Sequence, residues 1–308
     1  MNHNLYKLLL YFSQNKYWRL IENPNYVVSS KLGSYFNISL KDRLDDNHYD
    51  LFDEKGYPIR KNKKGTIIYN YTTLCSYALA NWQVYLESGD EKYLKPVFLI
   101  LDYLKENHEV TDYGGILFTM EGRMCAMSQG EALAVVARAY EVTQDKTLVA
   151  FAEKIIQPYD VFVPKRGVKG NFKEIEGIWF EESAKVPYQH ILNGMNYALM
   201  GLYDVMQVMP ELVSAETLWE EGIESLRKAL PLFDIGWWSN YWFDETDKPH
   251  YIASAMYHSL HICQLKHFYT LTRVEEFKIY AEKFEIYQKS FLNRMSAGLK
   301  LVSGKFRM

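Results

Sequence analysis

Met127-Ser128-Gln129-Gly130-Glu131-Ala132-Leu133-Ala134-Val135-Val136-Ala137-Arg138-Ala139-Tyr140-Glu141 is the stretch on which the fold turns. Helix-forming residues run through it without a proline, and Thr143-Gln144-Asp145 then turns the chain into a second helix over 146–156. The same unit recurs on either side. Upstream, residues 71–87 carry apolar side chains at helical spacing (Leu74, Tyr77, Ala78, Trp82, Tyr85). Ser88-Gly89-Asp90 turns that helix into another over 91–107. Downstream, 192–208 pairs with 215–230 across Pro210, and 253–270 pairs with 274–291 across Leu271-Thr272-Arg273. The pair junctions recur roughly every 55 to 65 residues, with long irregular segments between them. The first helix of a pair is rich in small residues: Ala126, Ser128, Gly130, Ala132, Ala134 and Ala137 in one, Gly194, Ala198 and Gly201 in another. Small residues let helices approach closely around a central axis. The expected fold is therefore all-α, an incomplete α/α barrel (toroid) of helical hairpins over residues 66–308, rather than a straight solenoid. Residues 1–65 are polar and turn-rich, and predict one helix followed by extended or hairpin structure packed on the barrel.

Composition narrows the function classes. With 308 residues, 48% apolar and 24% charged, the chain can bury a sizeable core, and a formal charge of −3 gives no general nucleic-acid footprint. Cys75, Cys125 and Cys263 are scattered, which fits reduced, buried thiols better than disulfides or a zinc knuckle. No apolar run approaches the roughly 18 residues of a membrane helix. Residues 1–20 interleave Lys7, Lys16 and Arg19 with leucines, as an amphipathic helix does and a signal peptide does not. A cytoplasmic protein is the expectation. Aromatic content is high, at 25 Tyr, 16 Phe and 7 Trp, and suits a core that opens onto a polar cleft. The basic run Arg60, Lys61, Lys63 and Lys64 reads as a solvated loop, with guidance of an anionic ligand as the alternative.

Four segments mix polar and aromatic side chains where inner helices begin: 69–79, 123–132, 179–194 and 239–261. In a toroid all four converge on one mouth. Neighbouring side chains on extended backbone point to opposite sides, so only one of Glu181 and Glu182 enters a cleft. A carboxylate among aromatics has a raised pKa, as a general acid or base at neutral pH requires. A surface salt bridge or a capping role is the plainer reading of either. His258 and His261 share a helical face at i, i+3. Without a third ligand nearby they read as loop-holding side chains rather than a metal pair. No nucleophile elbow, Walker loop or dinucleotide fingerprint is present.

At these segments the chain resembles the C-terminal domain of the D-glucuronyl C5-epimerases. Tyr69-Asn70 with Tyr77-Ala78-Leu79 is similar to the family's Y-N-P-x-x-x-A-Q-Y-A-L. Residues 126–132 with Arg138-Ala139-Tyr140 resemble A-M-x-Q-G-x-A…R-A-Y. Trp179-Phe180-Glu181-Glu182 and Leu192-Asn193-Gly194…Gly201-Leu202-Tyr203-Asp204 resemble W-F-E-E-Y-P…L-N-G…G-L-Y-D, and 257–265 resembles Y-H-x-x-H-I-x-Q-L. The resemblance covers most of residues 50–270. It implies an α/α barrel and C5 epimerisation of D-glucuronosyl to L-iduronosyl residues in an anionic polysaccharide, without a redox cofactor. It also implies Glu182 and Tyr257 as proton carriers on opposite faces of the ring, with Tyr241, joined by Tyr188, as hydrogen-bond donors. Ser183-Ala184 stand where the family has Tyr-Pro, and Asp244 and Ser254 stand near expected arginines, so Lys185 or Arg123 would replace the missing charge. The other matched residues, Tyr69, Tyr77, Gln129, Trp179, Glu181, Asn193, Trp242, His258 and His261, are assigned to substrate binding. The resemblance admits a homodimer and a structural divalent cation, for which the sequence offers no clear site. Two alternatives stand beside it. One is another α/α-barrel uronate enzyme, a lyase or a glycoside hydrolase, the latter drawing a second carboxylate from Asp244 or Asp247. The other is a noncatalytic glycan-binding homologue.

Overall fold

Helical pairs, an inner helix followed by an outer one, carry most of the chain in a computed structural model that describes residues 32–36, 40, 42–45, 48–62, 64–120, 122–244 and 251–304. The pairs are α1 (Tyr71–Ser88) with α2 (Leu94–Glu106), and α3 (Ala126–Thr143) with α4 (Thr147–Ile156). Then come α5 (Leu192–Val208) with α6 (Val213–Phe233), and α7 (Ala255–Thr272) with α8 (Glu275–Lys289); α9 (Phe291–Gly304) follows. Local chemistry sets the ends. Asn70 caps α1 by accepting the Thr73 N–H at 3.1 Å, and Gly89 closes it in the left-handed conformation (φ 70°). Gln144 closes α3 with φ 54°, its side-chain amide folding back on the Tyr140 and Glu141 carbonyls.

Inner and outer helices differ in what they bury. In α3 every residue from Ser128 to Tyr140 is buried, whereas α4 buries only Leu148, Ala152, Ile155 and Ile156, a single stripe. The inner helices follow one another in space in the order α1, α3, α5, α7. The tightest seam joins α3 to α5. A Cβ on Gly130 would fall inside the Tyr197 carbonyl, and one on Gly201 would fall inside the backbone of Gly130. Beyond the glycines, buried Arg138 of α3 pairs with Asp204 of α5 at 2.5 Å. It also donates to the Ala134 and Gly33 carbonyls and lies over the Tyr35 ring.

The segments between pairs are not irregular, as their composition suggested. Antiparallel hairpins fill them: β3 (Glu109–Val110) with β4 (Ile116–Leu117), β5 (Lys169–Phe172) with β6 (Gly177–Phe180), and β7 (Asn240–Trp242) with β8 (Tyr251–Ile252). A further hairpin, β1 (Arg60–Lys61) with β2 (Ile67–Ile68), precedes α1. The reason is backbone hydrogen bonding: long connections laid over a core satisfy their N–H and C=O groups by pairing. The fold is thus mostly helical with small hairpins interleaved. Leu32, Tyr35, Phe36, Leu40 and Tyr57, which precede β1, share the core of the helical pairs. The helix expected over 1–20, and Lys63 and Asp247, lie outside the described residues. No helix among the described residues is long and apolar enough to cross a membrane.

Candidate active site

The four segments singled out in the sequence each lead into the N-terminus of an inner helix, and backbone bonds tie three of them together. Ala126 N–H donates to Glu181 O at 2.9 Å, Ala184 N–H to Met124 O at 3.2 Å, and Phe243 N–H to His190 O at 3.2 Å. On this frame the two adjacent glutamates diverge, as extended backbone requires. Glu181 turns inward, fully buried, with Oε1 2.7 Å from His190 Nδ1 and packed against Gly170, where no Cβ would fit. Glu182 turns the other way. Its Oε2 accepts from Asn193 Nδ2 at 3.1 Å, and a Cβ on Gly194 would collide with its side chain, so Gly194 is the space Glu182 occupies. Burial lifts the Glu182 carboxyl to about 7, against the opposing pull of the Asn193 hydrogen bond.

The Glu182 charge acts on two phenols, Tyr241 of β7 and Tyr257 in the first turn of α7. Their rings lie 4.6 Å apart and their hydroxyls are hydrogen-bonded, with Tyr241 as donor. Burial raises both phenols. The shared bond then raises Tyr241 further and lowers Tyr257, so Tyr257 is the one whose anion is stabilised. Glu182, Tyr241, Tyr257 and Asn193 are therefore brought together. Trp242 flanks them, stacked on Tyr251 at 3.9 Å and 5°.

Other residues expected at the site are committed elsewhere. The Gln129 amide is spent on backbone, accepting from Phe118 N–H at 2.6 Å and donating to the Ile116 and Ile155 carbonyls, so it clamps β4 to α3. Trp179 is fully buried, stacked on Phe233, with its indole N–H on the Ile191 carbonyl. His258 is sandwiched at 3.8 Å on Trp238. Its Nε2 donates to Phe284 O at 2.9 Å, and its Nδ1 lies 2.7 Å from Ser239 Oγ, which also meets His261 Nδ1 at 3.0 Å. Burial pushes His258 down to about 3, and through Ser239 both rings hold the β7 approach to α7. No group of three or more metal-ligating side chains occurs among the described residues. Tyr69 donates to Asp53 at 2.8 Å and stacks on Tyr103. Tyr77 packs edge-on to Tyr49 and Phe52, and Tyr188 stacks on His190. Arg123 and Lys185, expected to supply positive charge, are exposed. The Arg60 guanidinium donates to Thr73 Oγ1 from an exposed position, and Lys61 and Lys64 are exposed, as a solvated run would be.

The cation that acts on Tyr257 is Arg43, from a single helical turn at Asp42–Asp45. Arg43 is hydrogen-bonded to the Tyr49 and Tyr197 hydroxyls and lies within electrostatic range of Glu131. Tyr35, Arg43, Ser76, Glu131 and Tyr197 line one narrow recess. Three of them occupy the same place in successive inner helices. Ser76, Glu131 and Tyr197 are each the sixth residue of α1, α3 and α5, counted from Tyr71, Ala126 and Leu192. Burial holds the Glu131 carboxyl well above its ordinary value, with Arg43 pulling it down and the Glu182 charge pushing it up. Sequence reasoning missed this group. Tyr197 had a signal, lying four residues after Asn193 on one helical face, and Glu131 is the one carboxylate in the buried run 128–140 of α3. Arg43 had none.

The D-glucuronyl C5-epimerase C-terminus family matches residues 103–286, more than half of the chain. The D-glucuronyl C5-epimerase of Caenorhabditis elegans is 30% identical over 159 residues, 46% of this chain but only 25% of that protein, so the chain spans a quarter of this relative's length. Among solved structures, the cellobiose 2-epimerase of Bacillus thermoamylovorans B4167 superposes with a TM-score of 0.56 at 13% identity, covering 80% of this chain and 68% of that one. A family 105 glycoside hydrolase of C. acetobutylicum ATCC 824 gives 0.53 at 15% identity, covering 80% and 71%. These structures, an epimerase and a hydrolase alike, share the helical-pair architecture and say nothing of chemistry. The matched segments, and the family model that runs from α2 into α8, place this chain in the D-glucuronyl C5-epimerase C-terminal family.

Proposed function

We propose that the chain inverts C5 of a D-glucuronosyl residue in an anionic polysaccharide, by removing a proton from one face of the ring and returning one to the other. The observation that supports it best is the hydrogen-bonded Tyr241–Tyr257 pair in the field of the half-buried Glu182. In one direction the Glu182 carboxylate takes the C5 proton, and the C5–H electron pair moves into the substrate carboxylate to form an enediolate. The Tyr257 hydroxyl gives its proton to the opposite face of C5, and the electrons return to the new C–H bond. Glu182 is left protonated and Tyr257 is left as a phenolate, which the Tyr241 hydroxyl stabilises by donating to it; exchange with solvent resets both. A carboxyl near 7 suits this work, since it both accepts and releases a proton at neutral pH. The two negative charges of the intermediate call for fixed donors beside the two proton carriers. No redox step occurs, because the carbon that loses the proton regains one.

The test is proton NMR of heparosan-type oligosaccharides incubated with the protein in heavy water. Deuterium should enter C5, and Glu182→Gln and Tyr257→Phe should each slow entry by about 10²–10⁴-fold. Unchanged entry in both variants would remove the assignment. An absorbance rise from an unsaturated uronate would show that the C4 substituent leaves, making the chain a lyase. Binding without exchange would make it a glycan-binding homologue.

A further inference from the structure

We infer that Ser239 is a positioning residue: by donating to His258, its hydroxyl holds Tyr241 against Tyr257 and so fixes the phenol pair on which inversion depends. The inference rests on the epimerase reading for what the pair does, and on hydrogen bonding for how it is held. Tyr241 needs such a hold. β7 bulges at this residue: Asn240 pairs with Ile252 and Trp242 with Tyr251, so Tyr241 has no partner across the ladder. A bulge re-aims a side chain, and the aim is then set by whatever fixes the chain on either side. After Tyr241 the chain is fixed by the Trp242–Tyr251 stack and by Phe243 N–H on the His190 carbonyl. Before it the chain is fixed at Ser239. The Ser239 carbonyl accepts from Ala253 N–H at 2.9 Å, and its hydroxyl and N–H reach His258 Nδ1 at 2.7 Å and 3.3 Å. His258 directly follows Tyr257. One contact therefore ties the residue two places before one phenol to the residue next to the other, whose rings lie 4.6 Å apart.

The proton positions follow from the partners. The Phe284 carbonyl can only accept, so His258 carries its proton on Nε2, 2.9 Å away. The ring is wholly buried between Trp238, stacked at 3.8 Å and 10°, and Phe284, and burial keeps it neutral. Its Nδ1 is then a bare acceptor, and Ser239 must give it the one hydroxyl proton it has. Toward His261 the same oxygen can only accept, which puts the His261 proton on Nδ1, 3.0 Å away. Donation runs one way, from His261 to Ser239 to His258 to the Phe284 carbonyl. A His258 ring turned over would present carbon to both partners, so this order also locks the ring. The Trp238 indole N–H, on the Ala253 carbonyl at 2.8 Å, fixes the stacking side in turn. The plainer role of Ser239, satisfying two buried imidazoles, predicts a less stable protein in its variants but unchanged turnover by molecules that are folded.

The experiment has two readouts on the full chain, wild type and variants, with circular dichroism to show that each is folded. The first is C5 hydrogen exchange over a range of heparosan-type oligosaccharide concentrations. Ser239→Ala should lower kcat about ten- to a hundredfold, as a misplacement of about 1 Å does, and leave KM within about twofold. KM is spared because Ser239 is wholly buried and touches no sugar. Ser239→Cys keeps a similar volume and a weak donor, should fall between, and carries the test if the alanine variant does not fold. The second readout needs no turnover: NMR of labelled histidine and tyrosine. The wild type should show His258 protonated at Nε2 and His261 at Nδ1, with Overhauser contacts between the Tyr241 and Tyr257 rings that weaken in Ser239→Ala. His258 protonated at Nδ1, ring contacts that survive the substitution intact, or an unchanged kcat overturns the inference. Ring contacts that depend on Ser239, in a wild type that shows no exchange, leave the positioning standing and remove the epimerase reading. Exchange in the wild type with an unchanged kcat in Ser239→Ala does the reverse.

Discussion

The α3–α5 seam and the cleft at the helix starts are built from the same matched segments, yet they use them in opposite ways. In the seam, motif residues face one another. Gly130 meets Gly201, and Arg138 meets Asp204, all four buried where they join two inner helices. In the cleft, Glu182, Tyr241 and Tyr257 stay partly exposed, and the Glu182 carboxylate bears on two phenols hydrogen-bonded to each other. A short motif is thus as often a joint as a tool. Gln129, Trp179 and His258 belong with the joints, because each spends its polar atoms on backbone or on another buried side chain, and His261 joins them through Nδ1 alone. The two glutamates make the same contrast within one dipeptide.

Substitutions that cross this line should break it most visibly at the buried ion pair. Arg138→Leu leaves Asp204 buried without its partner, and should cost about 3–5 kcal/mol in denaturant unfolding. Adding Asp204→Leu should recover much of that loss; a double variant as unstable as the single one would show that the pair is not what the seam depends on. Gly201→Ala should follow, at about 1–3 kcal/mol, despite alanine's better helix propensity, because its methyl has only the Gly130 backbone to occupy. A gain in stability there would mean that the helices separate readily.

In the cleft the expected effects are on rate. In the direction where Glu182 takes the proton, C5 exchange should rise about tenfold per pH unit below 7 and level above it. The limb reflects a carboxyl moved up from its ordinary 4.5 to about 7, and Glu182→Gln should lack it. The sign for stability is opposite. A carboxyl raised on folding favours the native state while protonated, and that contribution is lost as pH rises from 4.5 through 7, so Glu182→Gln should be relatively more stable above pH 7. A flat pH profile would place the essential base elsewhere. Arg123→Ala and Lys185→Ala should change exchange less than about twofold and stability by less than about 0.5 kcal/mol, as exposed side chains do. A large loss in either would place the substrate's counter-charge at the surface.

The helical pairs were legible because their periodicity and turns are local, written in runs such as 126–156. The direction of Glu182 followed from alternation on extended backbone, a property of two adjacent residues. The hairpins between pairs were not legible: two-residue strands such as Glu109–Val110 have too short a pattern, and only the core beneath them makes pairing the answer to their backbone hydrogen bonds. Nor could the sequence say which matched residues face the cleft. That depends on which side of a buried helix faces its neighbour, and on a helix buried all round such as α3 no stripe marks the inside.

By itself, then, the sequence determined the succession of inner and outer helices, the glycines that let inner helices touch, and the placing of four polar segments where those helices begin. Only the tertiary structure decided that Gln129 and the two histidines are fastenings, that Glu131 and Tyr197 share one level with Ser76, and that the positive charge near the phenols comes from Arg43. Periodicity is carried by neighbours along the chain, whereas the company of a charge is set by residues that folding brings from far along it.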